Sequence, residues 1–138
     1  VLSFQAAAEF TERKIHSRNM SFPFEEAPAY DKAVKFAGTC RKVACRLPEK
    51  NKSDSDRLVS SSTTVCSSIA EGYTRWEKEE KKEFYLDARR ALLDCVCLLN
   101  LLGSEELVAK EESDETGKQS TEISVMLSSI VKNISEKN

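Results

Sequence analysis

The sequence predicts an all-α protein, an up-and-down antiparallel four-helix bundle, and three observations carry that expectation. Apolar residues recur every three or four positions in four separate stretches. No stretch sustains an alternation of period two, and only four Gly and three Pro punctuate 138 residues. Four helices joined by short or moderate connections fold back on one another as a bundle.

The first helix is expected from Glu25 to Leu47, where Tyr30, Ala33, Val34, Ala37, Cys40, Ala44 and Leu47 line one face and Pro48 closes the element. Glu49 to Asp56, EKNKSDSD, reads as a polar loop with Asp54 or Asp56 as the N-cap of the second helix. That helix should run to Glu71 along Leu58, Ser62, Val65, Cys66 and Ile69, within a Ser/Thr run that depends on packing for its helicity. Gly72 follows where a C′ residue of positive φ is expected. The third helix, from about Glu77 to Leu102 with Thr74 as its candidate cap, carries an unbroken heptad seam of Phe84, Ala88, Ala91, Cys95, Leu98 and Leu102. Beside it runs a second stripe, Tyr85, Leu92, Val96 and Leu99. With Leu93 and Leu101 these residues make the helix apolar over much of its circumference, the mark of a helix buried on more than one side. The second stripe is therefore the candidate oligomer interface. Gly103 is expected to end the helix, and Ser104 to Ser120 to form an acidic connection with room for a short helical piece around Glu105 to Ala109. A short fourth helix, about Thr121 to Ser135, presents Ile123, Leu127, Ile130 and Ile134.

A chain of this length fits one domain and buries about two-thirds of its unfolded surface. With 40% apolar and 32% charged residues and a formal charge of -2, it reads as globular and soluble. The longest apolar run falls far short of the ~20 residues a membrane span needs. Residues 20–138 form the bundle. Two readings of the N-terminal extension, residues 1–19, stand side by side: sequence upstream of a natural start at Met20, or an appended amphipathic helix with Phe4, Ala7, Ala8 and Ile15 on one side.

Five cysteines, Cys40, Cys45, Cys66, Cys95 and Cys97, show no paired CxxC spacing, and His16 is the single histidine. They read as small buried hydrophobes in a reducing, cytoplasmic setting rather than as a zinc site or a catalytic nucleophile. No Gly-rich phosphate loop, paired metal-ligand set or Ser/His/Asp constellation occurs. No cofactor or metal is expected, and an enzyme is the least supported class.

Charge is uneven along the chain. Residues 32–90 hold 14 Lys and Arg against 9 Asp and Glu, a balance of +5, whereas residues 103–138 hold 4 against 8, a balance of -4. Arg41, Lys42, Arg46, Arg75, Lys78, Lys81, Lys82, Arg89 and Arg90 are the candidate phosphate contacts, diluted by Glu77, Glu79, Glu80 and Glu83. Trp76 and Tyr73 read as an inter-helix wedge in preference to a base-stacking pair.

Ser67 to Leu92, SSIAEGYTRWEKEEKKEFYLDARRAL, resembles the signature of the four-helix-bundle proteins encoded in intervening sequences of bacterial 23S ribosomal RNA genes. Ile69, Ala70, Glu71, Gly72, Tyr73 and Arg75 match its first part; Lys82, Glu83, Phe84 and Ala91 match its second. The likeness spans roughly residues 22–134. It departs where the family often has a proline ahead of IAEG, here Cys66, and a glutamate in the third helix near Cys97. The resemblance implies kinship in fold with the accessory protein of diversity-generating retroelements, and a homopentameric ring without an assigned activity. The function expected is thus a non-enzymatic homo-oligomeric scaffold or adaptor. The alternative is an RNA-associated or reverse-transcriptase accessory protein.

Overall fold

The computed structural model describes residues 22–136; both readings of residues 1–19 lie outside the described residues. A 3-10 turn, Pro23–Glu26, leads into α1 (Pro28–Arg46). A second 3-10 turn, Glu49–Asn51, leads into α2 (Lys52–Thr74), followed by α3 (Lys78–Ser104) and α4 (Lys110–Glu136). Each connection is five residues or shorter, so successive helices run antiparallel, and α4 packs back on α1 to close the bundle. No strand occurs among the described residues.

Prolines set the limits of α1. A proline forces the residue before it out of the helical region, so Ala27 is extended (ψ 127°) and α1 starts at Pro28 instead of Glu25. Leu47 is likewise extended (ψ 145°) ahead of Pro48, which ends the helix. The buried face is Ala29, Ala33, Phe36, Ala37, Cys40, Val43 and Ala44, rotated from the expected stripe so that Val34 is exposed.

The expected loop at 49–56 is largely helical. The Asn51 N–H donates to the Pro48 carbonyl (2.8 Å), and Ser55 Oγ donates to the Ala44 carbonyl (2.9 Å), which pins the first turn of α2 to the last turn of α1. Asp54 and Asp56 cap nothing: Asp54 accepts from the Asn51 amide, and Asp56 pairs with Lys52 one turn away. The Ser/Thr run stays helical on the packing of Leu58, Ser62, Val65 and Ile69, and Ser62, Thr63, Thr64 and Ser67 satisfy their hydroxyls on carbonyls three or four residues back.

Neither Gly72 nor Gly103 stops a helix; both are helical, and among the described residues positive φ occurs at Glu106 alone (62°), in the α3–α4 turn. The C-terminus of α2 is closed by a side chain instead. Lys81 Nζ donates to the carbonyls of Gly72 (2.6 Å) and Tyr73 (2.9 Å), satisfying acceptors that the helix leaves open. Its burial lowers the pKa of the ammonium.

The largest departure is α4, which starts at Lys110, eleven residues before the expected Thr121. Its first half buries Thr116 and Ser120, whose hydroxyls donate to Glu112 (2.9 Å) and Gly117 (3.1 Å) carbonyls. A polar inner face hides the period that betrays a helix. Glu112 accepts from the Ala109 N–H (3.1 Å) at the N-terminus, where a negative charge meets the positive end of the helix. It also takes a two-bonded pair from Arg46 of α1.

The Arg46 hydrogen bonds hold the Glu112 carboxyl below its ordinary 4.5. A carboxylate whose pKa is depressed by folding stabilises the fold above its unfolded pKa, and that contribution disappears as pH falls through the folded value. Glu112→Gln should therefore flatten the loss of stability below about pH 4.5. Urea midpoints measured from pH 7 to pH 3 check this; parallel curves for the two proteins would show that the pair contributes nothing.

Candidate interaction surface

The longer α4 decides where the apolar side chains of α3 go. Along the α3–α4 seam, Leu92, Val96 and Leu99 lie against Ser113, Thr116, Gly117, Ser120, Thr121 and Ser124. The small α4 side chains leave shallow clefts along this seam. Leu92 and Leu99 are buried inside the protomer and Val96 is half-buried, while Tyr85 is buried over Gly72 at the α2–α3 corner. The stripe expected to meet a neighbouring copy is thus largely occupied within the protomer, its Val96 and Leu99 by the half of α4 that precedes Thr121.

What remains uncovered is a different strip. Leu93 (59% exposed) and Leu101 (60% exposed) flank Cys97, also exposed, and half-buried Leu86 extends the line toward the start of the helix. At about 100° per residue these four side chains fall within roughly 80° of helix surface. They form an outward apolar face on the half of α3 that carries the least charge. Val125 of α4, 64% exposed, lies beside Leu93 across the seam.

The matched motif builds the corner between α2 and α3. Ile69 is core, and Ala70 and Ala91 are half-buried. Glu71 pairs with Arg75 at 2.5 Å, and the Arg75 guanidinium sits 4.7 Å above the Phe84 ring. Gly72 lies beneath the ring of Tyr85, Tyr73 has the Lys81 ammonium 5.9 Å from its ring centre, and Lys82 and Glu83 lie on the outer turn. Every strongly placed member of the motif holds this corner together.

Trp76 is not a wedge. It is 96% exposed in the three-residue connection, because Arg75 takes the place over Phe84 and the chain passes outside the bundle end. The cysteines divide as well: Cys40 and Cys95 are buried and Cys66 half-buried, but Cys45 and Cys97 are exposed. The neighbouring Cys95 thiol and burial push the Cys40 thiol far up, and burial raises Cys66 to about 11, so neither supplies a thiolate near neutral pH.

The candidate phosphate contacts do not converge. Arg41, Lys42 and Arg46 lie near the end of α1; Arg75, Lys78, Lys81 and Lys82 lie at the opposite end of the bundle; Arg89 and Arg90 lie between them on α3. Arg41 donates to Thr63 (2.9 Å), and Arg46, Arg75 and Arg90 are each paired with a carboxylate. Lys81 is committed to capping α2. Among the described residues no three His, Cys, Asp or Glu gather where they could hold a metal ion, and no helix is long and apolar enough to cross a membrane.

A four-helix bundle closed by its own fourth helix, with a motif-built α2–α3 corner and an uncovered apolar strip on its third helix, defines a class of small helical modules. Within that class, residues 25–136 match the 23S rRNA-intervening sequence protein family, and the chain belongs to it. Among solved structures, the chain is similar to a protein of unknown function from the S23 ribosomal protein family of Bacteroides thetaiotaomicron. The two are 24% identical with a TM-score of 0.70, over 75% of this chain and 95% of that one. At that identity the likeness establishes the fold. None of the curated proteins matches the chain.

Proposed function

We propose that the protein is a non-enzymatic helical bundle that assembles with copies of itself, a pentameric ring being the favoured form, and serves as a scaffold or adaptor. The observation that carries this reading is the outward strip of α3, where Leu93 and Leu101 stand about 60% exposed on either side of Cys97. Two leucines about two turns apart expose apolar surface that a solitary bundle gains nothing by displaying, and covering it is favourable at roughly 25 cal/mol per Å². A ring requires a heterologous contact, so this strip meets a different surface of the next copy. The ring size rests on the family resemblance.

Light scattering after size exclusion tests the assembly. Wild type at micromolar concentration is expected well above the 15.5 kDa of one chain. Leu93→Asp with Leu101→Asp should return it to a monomer with unchanged helical content, because both side chains are already exposed. A wild-type monomer, or a double variant that assembles as before, would sink the proposal. The dispersal and pairing of the basic residues favour this reading over direct nucleic-acid binding.

A further inference from the structure

Between α3 and α4, beside the outward strip, lies an open cleft of about 270 Å³. Leu92, Leu93, Val96 and Val125 give it an apolar wall, and its lining also includes Arg89, which is half-buried. Other arginines on α2 and α3 are taken: Arg90 pairs with Asp87, and Arg57 with Asp94. No hydrogen bond or ion pair among the described residues reaches the Arg89 guanidinium. The sequence gives the reason, since one turn to either side on α3 stand Tyr85, Leu86, Leu92 and Leu93, and the α4 residues of the cleft are uncharged. Holding a cation partly out of water without a counter-charge is unfavourable. The cleft thus joins uncovered apolar surface to an uncommitted positive charge.

The α2–α3 corner carries the complement. Trp76 is 96% exposed, and the exposed Glu77 beside it neither caps α3 with its side chain nor forms an ion pair among the described residues. We infer that Trp76 and Glu77 of one copy dock in this cleft of the next copy, the indole against Leu93 and Val125 and the carboxylate on Arg89. The inference rests on the self-assembly proposed above and names the surface that meets the Leu93 end of the strip. Charge is the first argument, because a free carboxylate next to a bare indole matches a free guanidinium next to an apolar wall. Room is the second: a cavity of about 150 Å³ takes up benzene, so the cleft has space for an indole, and a tryptophan anchors an interface by burying about 150–250 Å². Placement is the third. From Lys78 to Leu92 α3 rises about 21 Å, so a protomer's own Trp76 does not reach its own cleft. Knob and socket are separate surfaces, and their contact is heterologous, the kind that closes into a ring. The wider groove of about 730 Å³ beside Ile69 and Tyr85 lacks this match, since Glu26, the charge in its wall, is already engaged.

Light scattering on single and mixed variants tests the contact. Trp76→Ala keeps the socket and Arg89→Glu keeps the knob, and each should need a concentration roughly tenfold or more above that of wild type to assemble. Where each alone is a monomer, an equal mixture should pair, the Trp76 of one in the intact cleft of the other. Growth should stop at twice the 15.5 kDa of one chain, because neither remaining end is complete. Glu77→Arg, at an exposed position, should weaken assembly as well, and adding Arg89→Glu to it should recover assembly. Circular dichroism confirms that the variants are folded. Wild-type assembly that Trp76→Ala and Glu77→Arg leave unchanged overturns this contact and leaves self-assembly standing, as does a mixture of folded variants that forms no pair. A monomeric wild type overturns both.

Discussion

Phe36→Ala is expected to lower the free energy of unfolding by about 3–5 kcal/mol, the cost of removing a large buried side chain and leaving a cavity. Phe36 is the largest of the fully enclosed side chains, with none of its surface exposed, and it belongs to the single cluster that joins all four helices. A domain of this size has a total stability of about 5–15 kcal/mol, so the variant should sit close to the edge of folding at room temperature. Urea denaturation followed by circular dichroism measures the loss. Val34→Ala two positions away supplies the contrast: Val34 is 45% exposed, and its truncation should stay within about 0.5 kcal/mol. Equal losses for the two would mean that α1 is rotated from the placement described.

That rotation marks a limit of periodicity in α1. The buried set Ala29, Ala33, Phe36, Cys40 and Val43 advances by 4, 3, 4, 3, but Tyr30, Val34 and Leu47 offer a competing stripe on an adjacent face. Four of the seven buried residues of α1 are alanine, so the two faces differ little in hydrophobicity. In α2 the expected stripe Leu58, Ser62, Val65 and Ile69 faces inward; in α3 Ala88, Cys95, Leu98 and Leu102 do so as well, but Phe84 and Ala91 of the same seam are half-buried, and Tyr85, Leu92 and Leu99 of the rival stripe are buried beside them. The first half of α4 was illegible because Thr116 and Ser120 occupy core positions that a hydrophobic stripe cannot mark. The same half decides the surface, since Leu99 is left without a covering helix unless α4 begins near Lys110. The caps were hard to read for a related reason. Lys81 closes α2 from the next helix, a contact across nine residues that no local capping pattern records.

Gly72 separates two physical accounts of the family motif, and its substitution gives the second large effect. A glycine at a C′ position resists replacement because positive φ strains any side chain. Here Gly72 is helical without positive φ, and a Cβ on it would come 3.0 Å from two carbons of the Tyr85 ring. Tyr85 is 5% exposed, so shifting its ring off Gly72 disturbs the contacts that bury it. Alanine at this position gains about 1 kcal/mol of helix propensity but overpacks the ring at a cost of about 1–3 kcal/mol, so Gly72→Ala should destabilise modestly. Gly72→Val drives two further methyl groups toward the same ring and should cost about 3 kcal/mol, read as a lowered urea midpoint with unchanged slope. Removing the ring reverses the sign. In a Tyr85→Ala background, Gly72→Ala should stabilise by about 0.5–1 kcal/mol, because only the propensity gain remains. Backbone strain makes the opposite forecast, a loss that persists whatever occupies position 85. A double-mutant cycle with no coupling between the two positions would return the motif glycine to a helix stop. Strong coupling identifies it as the place where α2 thins to let the aromatic ring of α3 lie against its backbone.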